Sequence, residues 1–503
     1  MDTNIVIDGQ GTALTAASCY RALAAKDARF DGVFFTGVKT TGIYCRPVCG
    51  VKTPRESSCV FFSTAAAAEA AGFRPCLRCR PELAPYALQQ NLAHAVWQRI
   101  AAGALNDGDT ERLSKEVGLS SRQLRRVLLQ HFGVTPIELA QTQRLLFAKK
   151  LLQETHLPMS DVAYAAGFGS IRRFNALFLA RYGMAPTAIR RAVETPSHHG
   201  LDAITLRLAY RPPFAWTEML RYLAGRAIPG VEVVAQDRTE EPCYMRSIRL
   251  GDAIGWLGVR HLPVRNQIEL SLSASLAHVL MPLVARVRNQ FDLDANPEVI
   301  ATHLADDPLL AAQLEKSPGL RVPGAFDVFE LATRAVLGQQ VSVAGATTLS
   351  GRMVTHFGDA AATPFVGVTH HFPTSTRLAQ EDVTAIAAIG MPATRAEAIR
   401  NLAQFAVQGG LQPRPGTALH DVVADLKSVR GIGEWTAQYI AMRALRYTDA
   451  FPAGDLGLQK AAIEMPDATN GIRRLTEKQL LARAMHWSPW RGYAALLLWH
   501  SLG

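Results

Sequence analysis

The pattern of apolar and polar positions divides the chain into four regions and a linker. Residues 1–85 carry short apolar runs among Cys, Gly and Pro, and residues 86–192 show the pattern of helices with few turn signals. The polar stretch TPSHHG marks a linker over 193–202. Residues 203–285 alternate apolar and polar positions as strands do, and residues 286–503 return to helix after helix.

Individual elements follow from the same pattern. The segments ITLRLAY, EVVAQ, YMRSIRL and QIELSLSA are predicted strands, and WTEMLRYLAGRA contains a predicted helix. The later helices are interrupted at SPGLRVPGAF, TPFVGVTHHFP and QPRPGT. The predicted fold is therefore multidomain: a small α/β domain, an all-α domain, an α+β domain and a second all-α domain.

Composition places the chain among globular proteins. It has 503 residues, of which 48% are hydrophobic and 19% charged, which excludes wholesale disorder and predicts about three or four domains. No apolar run approaches the roughly 18 residues of a membrane span. The N-terminus MDTNIVIDGQG lacks the basic and apolar parts of a secretory signal. We therefore expect a soluble, cytoplasmic protein.

Positive charge is concentrated at the beginning of the chain. The net charge is +10, and residues 1–200 account for +9 of it. A basic region joined to a nearly neutral one indicates a module that binds a polyanion, with nucleic acid the first candidate; the motifs described below narrow this to double-stranded DNA.

The cysteines are also concentrated there. Cys45 and Cys49 form one close pair, and Cys76 and Cys79 form another after 26 intervening residues. Such spacing is typical of a tetrahedral thiolate zinc site. The alternative interpretation is that the four cysteines are unrelated buried thiols. Cys59 begins the apolar run CVFF and is interpreted as strand core. The cysteines expected to be ordinary thiols are Cys19 and Cys243.

The segments VKTTGIYCRPVC, VFF and AAGFRPCLRC, within residues 15–85, resemble the metal-binding domain of the Ada adaptive-response proteins. The resemblance implies one Zn²⁺, structural and reactive, held by Cys45, Cys49, Cys76 and Cys79. It also implies that Cys45 accepts a methyl group from a DNA methylphosphotriester. Methylation would change the site charge from −2 to −1, favouring DNA binding and contact with RNA polymerase. A purely structural zinc is the alternative, and the arginines flanking the cluster disfavour it: Arg46, Arg74, Arg78 and Arg80.

Two helix-turn-helix units follow. Each of the segments TERLSKEVGLSSRQLRRVLLQHFGVTP and SDVAYAAGFGSIRRFNALFLARYGMAP has a short helix, a Gly turn, a Ser cap and a basic helix. The cap is Ser120 or Ser121 in the first segment and Ser170 in the second. Over 95–191 they resemble the AraC-type DNA-binding domain, while a plain helical bundle with solvated arginines is the alternative. The expected DNA-contacting residues are Arg122, Arg125, Arg126, Arg172 and Arg173.

The motif LKSVRGIGEWTA near residue 430 is typical of a helix-hairpin-helix. Gly431 and Gly433 let backbone amides approach a DNA phosphate, and Thr436 in the following helix is also expected to bind DNA. About two dozen residues later, Asp455 follows a Gly at a helix N-terminus. It is either a helix cap or the catalytic carboxylate of the helix-hairpin-helix DNA glycosylases, which this arrangement resembles.

From 203 onward the chain resembles the AlkA-type 3-methyladenine glycosylases, in ITLRLAYRPPFAW, RAVLGQQVSVAGA, GIGEWTAQYIAMRAL and PWRGYAALLLWH. The resemblance implies a base pocket of Trp435, Tyr439 and Trp499, where aromatic faces attract cationic bases. For each of these aromatics, helix packing is the alternative. Gln340 stands at the position of the family's wedge, the residue that fills the gap left by the flipped base, which is Leu in the family. Trp435 stands at the position where relatives with lyase activity have Lys. A monofunctional glycosylase is therefore implied, without an iron–sulfur cluster because only Cys243 lies beyond residue 200.

Together these features predict a DNA-alkylation sensor, a DNA-binding regulator and a base-excision enzyme in one chain, with the two chemistries in separate domains. The rival interpretation is a transcription regulator whose C-terminal half clamps DNA without catalysis. No Pro-Cys-His-Arg sequence occurs, so direct repair of O6-methylguanine is not expected.

Overall fold

The computed structural model describes residues 6–7, 13–84, 92–191, 203–236, 242–463 and 474–502. The predicted linker 193–202 lies outside these residues, as does the predicted boundary at 85–86. The described elements form the predicted multidomain fold of small sheet, helical region, larger sheet and second helical region. No helix in the described ranges is long and apolar enough to cross a membrane.

The N-terminal domain is built around a four-stranded sheet of order β5-β3-β4-β6. β4 pairs antiparallel with β3 and parallel with β6. Its elements, including a separate two-stranded ladder at the start, are β1 (Val6–Ile7), β2 (Ala13–Leu14), α1 (Ala16–Ala25), β3 (Phe35–Val38), β4 (Ile43–Cys45), β5 (Cys59–Phe62), α2 (Ala65–Ala70) and β6 (Arg74–Pro75).

The next region is helical, as predicted. Ser120 and Ser170 cap the two basic helices, and Gly133 and Gly183 end them in the left-handed conformation at φ 71° and 69°. Its helices are α3 (Leu92–Ala101), α4 (Thr110–Glu116), α5 (Ser121–Phe132), α6 (Pro136–Glu154), α7 (Met159–Ala165), α8 (Ile171–Tyr182) and α9 (Pro186–Arg191).

The larger sheet is antiparallel, with strand order β7-β11-β10-β9-β8. Its central strand β10 was absent from the sequence prediction, because Gly255 and Gly258 interrupt the alternating pattern that marks a strand. The elements are β7 (Ala203–Ala209), α10 (Trp216–Ala224), β8 (Glu232–Gln236), β9 (Pro242–Leu250), β10 (Ala253–Leu262) and β11 (Gln267–Ser273).

The described residues beyond 273 are helical apart from loops and one small two-stranded ladder, β12 (Asp359–Ala360) and β13 (His370–His371). The first helix, α11, begins at Leu280, a few residues before the predicted start of this region. The helices are α11 (Leu280–Gln290), α12 (Pro297–Leu304), α13 (Pro308–Lys316), α14 (Val328–Leu337), α15 (Val343–Phe357), α16 (Ser375–Gln380), α17 (Val383–Ala387), α18 (Ala393–Val407), α19 (Leu419–Ser428), α20 (Glu434–Arg443), α21 (Leu456–Ala461), α22 (Glu477–Ala484) and α23 (Arg491–His500).

The hydrophobic cores do not follow the domain borders. One core fills the C-terminal helical domain. A second is continuous from Phe174 and Phe178 of the second helix-turn-helix unit to Leu206 and Leu270 of the larger sheet. The regulator-like and glycosylase-like parts are therefore packed against each other.

Candidate functional sites

Four cysteine sulfurs converge at the end of the small sheet. β4 ends at Cys45, and the parallel strand β6 is followed directly by Cys76, so pairing of the two strands brings these residues together. Cys49 and Cys79 follow within one turn of each. All four Sγ atoms lie within 4.8 Å of one another, which fits the donor set of a thiolate zinc centre.

Backbone donors surround these sulfurs unequally. The N–H groups of Arg78 and Cys79 donate to Cys76 Sγ at 3.4 and 3.5 Å, and that of Arg46 donates to Cys79 Sγ at 3.4 Å. Within the described residues, no backbone N–H donates to Cys45 Sγ. An N–H donor withdraws charge from a thiolate, so these bonds act on Cys76 and Cys79.

The thiols also affect one another's ionisation. Hydrogen bonding with Cys49 raises the pKa of Cys45, and the same contact lowers the pKa of Cys49 to about 7. A zinc ion held by the cluster would favour the thiolate form of every ligand.

Two of the arginines beside the cluster are engaged within the protein. Arg46 Nε donates to the Asp31 carboxylate at 2.8 Å, and Arg80 forms ion pairs with Glu82 and Glu154. The arginines whose side chains remain exposed are Arg74 and Arg78.

The helix-turn-helix units present their basic helices to solvent. α5 buries Leu124 and Leu128, and α8 buries Phe174 and Phe178, so the opposite faces of both helices point outward. The exposed arginines on these faces are Arg122, Arg125, Arg126, Arg172 and Arg173.

The glycine hairpin joins α19 to α20. Gly431 has φ 99°, and an added Cβ would overlap the side chain of Ala398 on α18, so only glycine fits. Gly433 caps α20 with open space around it, which leaves the helix N-terminus accessible to a phosphate. Thr436 is 3% exposed, and its hydroxyl accepts a hydrogen bond from Gln339. Its side chain is thus bonded inside the protein.

Asp455 caps a helix and also lines the cavity that contains the predicted aromatic residues. It is the N-cap of α21, where Oδ1 accepts from the Leu458 N–H at 3.0 Å. Trp499 Nε1 donates to the same oxygen, and Trp435 Nε1 donates to Oδ2, both at 3.0 Å. Sequence reasoning assigned these indoles to the base pocket and missed their bonds to the carboxylate, since the partner residues are far apart in sequence.

Asp455 lies in a cavity of about 810 Å³ between the larger sheet domain and the C-terminal helices. The rings of Trp435 and Tyr439 stack there with centroids 5.2 Å apart, and Trp499 packs against Tyr439 at 6.2 Å. The structure therefore brings the three predicted aromatic residues to the carboxylate.

Two further residues of this cavity were missed by sequence reasoning. Arg443 Nη1 donates to the hydroxyls of Tyr439 and Tyr222 at 2.6 and 2.8 Å. Tyr222 comes from α10 of the sheet domain, where the Arg226 guanidinium lies 3.8 Å from its ring centroid. Burial raises the pKa of Tyr439, but the guanidinium groups of Arg443, Arg226 and Arg334, together with the hydrogen bond to Tyr222, outweigh it and lower the pKa to about 8. Arg226 follows the end of α10, and no pattern in the sequence marked Tyr222 or Arg443 as residues of this cavity.

Gln340 lies in the turn between α14 and α15 at the mouth of the same cavity. It is exposed, and its φ of 54° is in the left-handed region that non-glycine residues rarely adopt.

Four family models match the chain in series. They are the metal binding domain of Ada (18–82), a helix-turn-helix domain (113–192), the AlkA N-terminal domain (205–327) and the HhH-GPD superfamily of base excision DNA repair proteins (333–483). Their order is the order of the domains described above.

Curated relatives share the same parts. A probable bifunctional transcriptional activator/DNA repair enzyme AlkA of Mycobacterium tuberculosis is 38% identical over 96% of both chains. DNA-3-methyladenine glycosylase 2 of Escherichia coli is 37% identical over 59% of this chain and 97% of its own. The bifunctional activator Ada of Escherichia coli is 28% identical over 39% of this chain and 60% of its own. The chain therefore belongs to the family of bifunctional transcriptional activator/DNA repair enzymes that join an Ada-type sensor and a helix-turn-helix domain to an AlkA-type glycosylase.

Proposed function

We propose that the C-terminal half hydrolyses the N-glycosidic bond of alkylated bases such as 3-methyladenine. The observation that carries this proposal is the Asp455 carboxylate, held by two indole N–H groups at an aromatic cavity beside a phosphate-binding hairpin. A cavity of this size accommodates a flipped purine, and Trp435 with Tyr439 offers electron-rich faces to a cationic base.

The reaction follows from the charge of Asp455. Breaking the glycosidic bond leaves positive charge on the sugar, and a carboxylate beside that sugar stabilises it and can orient the attacking water. Trp435 occupies the position where lyase relatives carry an amine nucleophile. Water is therefore the nucleophile, and the products are a free base and an abasic site.

We propose that Cys45 accepts a methyl group from a DNA methylphosphotriester. Cys45, Cys49, Cys76 and Cys79 would hold a zinc ion, which would keep these ligands deprotonated at neutral pH. A lone pair of Cys45 Sγ forms the S–C bond as the methyl C–O bond breaks. The C–O electron pair stays on phosphate oxygen, giving a phosphodiester and a methyl thioether. The choice of Cys45 among the four sulfurs follows the resemblance of the CRPVC segment to the metal binding domain of Ada.

This transfer couples repair to gene activation. Loss of one negative charge at the zinc centre reduces repulsion from DNA phosphates, so methylated protein binds DNA more tightly. The exposed arginines of α5 and α8 then read promoter DNA, with RNA polymerase as the partner for activation. Both chemistries act on chromosomal DNA, so we place the protein in the cytoplasm at the nucleoid.

One zinc per chain is expected in the purified protein. Metal analysis of the parent should give one equivalent, and Cys76→Ser should lose it, while Cys59→Ser keeps it because Cys59 lies outside the cluster. Zinc retained in Cys76→Ser would contradict the four-sulfur site.

Methyl transfer is tested by peptide mass spectrometry after incubation with DNA carrying methylphosphotriesters. We expect one added methyl, on the peptide that contains Cys45, and none in Cys45→Ala. A methyl on Cys49, Cys76 or Cys79 instead would refute the assignment.

A further inference from the structure

The turn at residues 338–342, here called the wedge loop, has two neighbouring glutamines with opposite orientations. Gln340 is exposed and held at φ 54°. Gln339 is partly buried, and its Nε2 donates to Gly431 O and to Thr436 Oγ1, both at 3.0 Å. Both acceptors belong to the hairpin and its following helix, so the wedge loop is bonded to the proposed phosphate-binding element.

A third element completes this arrangement. Arg395 of α18 donates to the backbone oxygen of Gln339 at 2.6 Å. Ala398 of the same helix packs against Gly431. The wedge loop and the hairpin are therefore fixed to a common helix as well as to each other.

We propose that Gln339 is a positioning residue that sets the wedge loop at a fixed place relative to the phosphate held by the hairpin. The inference rests on the proposed glycosylase function. Extruding a base requires the duplex to be gripped and the vacated stack to be filled at the same time. Gln339 links the two parts, so gripping the phosphate places Gln340 at the vacated position.

The key variant is Gln339→Leu, which keeps the approximate volume but removes both donated hydrogen bonds. Excision is measured under single turnover on a duplex with one 3-methyladenine opposite thymine. A second duplex leaves the position opposite the lesion without a base, which lowers the cost of extrusion. We expect the variant to be about 10-fold slower on the paired duplex, the effect of losing one or two hydrogen bonds. On the unpaired duplex it should be within about 3-fold of the parent, since extrusion no longer limits the rate.

Two controls separate positioning from general damage. Gln340→Ala removes the wedge side chain but leaves the bonds of Gln339, and we expect the same preference for the unpaired duplex. In the double variant Gln339→Leu/Gln340→Ala, the excision rate should fall little below that of Gln340→Ala alone, because the effect of Gln339 acts through the side chain of Gln340. The thermal unfolding midpoint of each variant reports folding independently.

The outcomes are distinct. Equal slowing on both duplexes, or parental rates on both, would overturn the role of Gln339. If the parent itself does not excise 3-methyladenine, the proposed glycosylase function fails. A parent that excises the base, with Asp455→Asn inactive and Gln339→Leu slowed equally on both duplexes, would leave the glycosylase intact and overturn only this inference.

Discussion

Asp455 accepts three N–H donors, one from the backbone and two from indoles. Hydrogen bonds to a carboxylate are stronger than those between neutral groups, and they fix its orientation. The sequence left open whether Asp455 is a helix cap or a catalytic group. The structure shows that the cap bond uses only Oδ1, so the cap leaves the charge of the carboxylate available to the cavity.

The indole of Trp499 is expected to orient Asp455. Trp499→Phe keeps an aromatic ring beside Tyr439 but removes the N–H that reaches Oδ1. Because a hydrogen bond to a charged group contributes about 1.5–3 kcal/mol, we expect single-turnover excision to slow by about 10- to 100-fold. Trp256→Phe, in the sheet domain against Phe365, is the matched control and should keep the parental rate. An unchanged rate in Trp499→Phe would show that its N–H does not hold the carboxylate.

At the scale of elements, the two hairpin glycines have different physical roles. Gly431 needs a positive φ and contact with Ala398, whereas Gly433 caps α20 in open space. The first glycine is required by the fold and the second leaves room for DNA.

Alanine substitutions separate these roles. Gly431→Ala combines a strained φ with overpacking, and we expect it to reduce the free energy of unfolding by about 2–3 kcal/mol. Gly433→Ala should unfold within about 1 kcal/mol of the parent but bind DNA more weakly, because its Cβ faces the phosphate. Chemical denaturation and DNA titration measure the two quantities. Equal stability of the two variants would contradict the assignment.

Elements with strong local signals were predictable from the sequence. Ser170 caps α8 as predicted, and of the two candidates for α5 the cap is Ser120, because a cap needs only residues close in the chain. The strand β10 was missed because its glycines interrupt the alternating pattern in the sequence. Pairing with β9 and β11 on its two sides stabilises the strand in the structure. The contact of Tyr222 with Arg443 joins two domains, and no local pattern indicates such a pair.

At the scale of the whole molecule, the zinc domain is bonded to the glycosylase half. Arg211 follows β7 and is 2% exposed; its Nε and Nη2 donate to Asp31 O at 3.0 and 2.7 Å. Its Nη1 donates to Asp294 O at 2.7 Å. The Asp31 carboxylate in turn pairs with Arg46, the neighbour of Cys45. The sequence predicted separate domains for the two chemistries, and the structure joins those domains through buried bonds.

A second buried connection runs through α6. Lys149 forms an ion pair with Glu82 of the zinc domain at 2.8 Å. Lys150 pairs with Glu154 and donates to the backbone oxygen of Arg207 in β7. Buried charges of this kind are costly unless each partner is present, so removal of one domain leaves the others with unpaired groups.

Breaking the first connection should destabilise the glycosylase half. Burial lowers the pKa of Arg211 to about 10, and its carbonyl partners are left without a donor in Arg211→Met. We expect a loss of about 2–4 kcal/mol in the free energy of unfolding. Arg249→Met, which breaks the exposed pair with Asp359, is the control and should cost less than about 1 kcal/mol.

Zinc removal gives an independent check of this coupling. Six of the seven tryptophans lie beyond residue 200, so tryptophan fluorescence reports mainly on the glycosylase half. We expect a chelator to lower the fluorescence-detected unfolding temperature of the parent. An unchanged temperature after complete zinc removal would show that the domains unfold independently.

The central claim is that Asp455 supplies the negative charge that stabilises the sugar cation during base excision. Asp455→Asn keeps the shape and an oxygen for the cap, although its amide N–H groups then face an indole donor. Single-turnover release of 3-methyladenine from duplex DNA is the most direct test. Loss of one well-placed electrostatic group predicts a rate about 100- to 1,000-fold below that of the parent, with DNA binding retained. Excision within a few-fold of the parental rate would contradict the account and leave Asp455 as a helix cap alone.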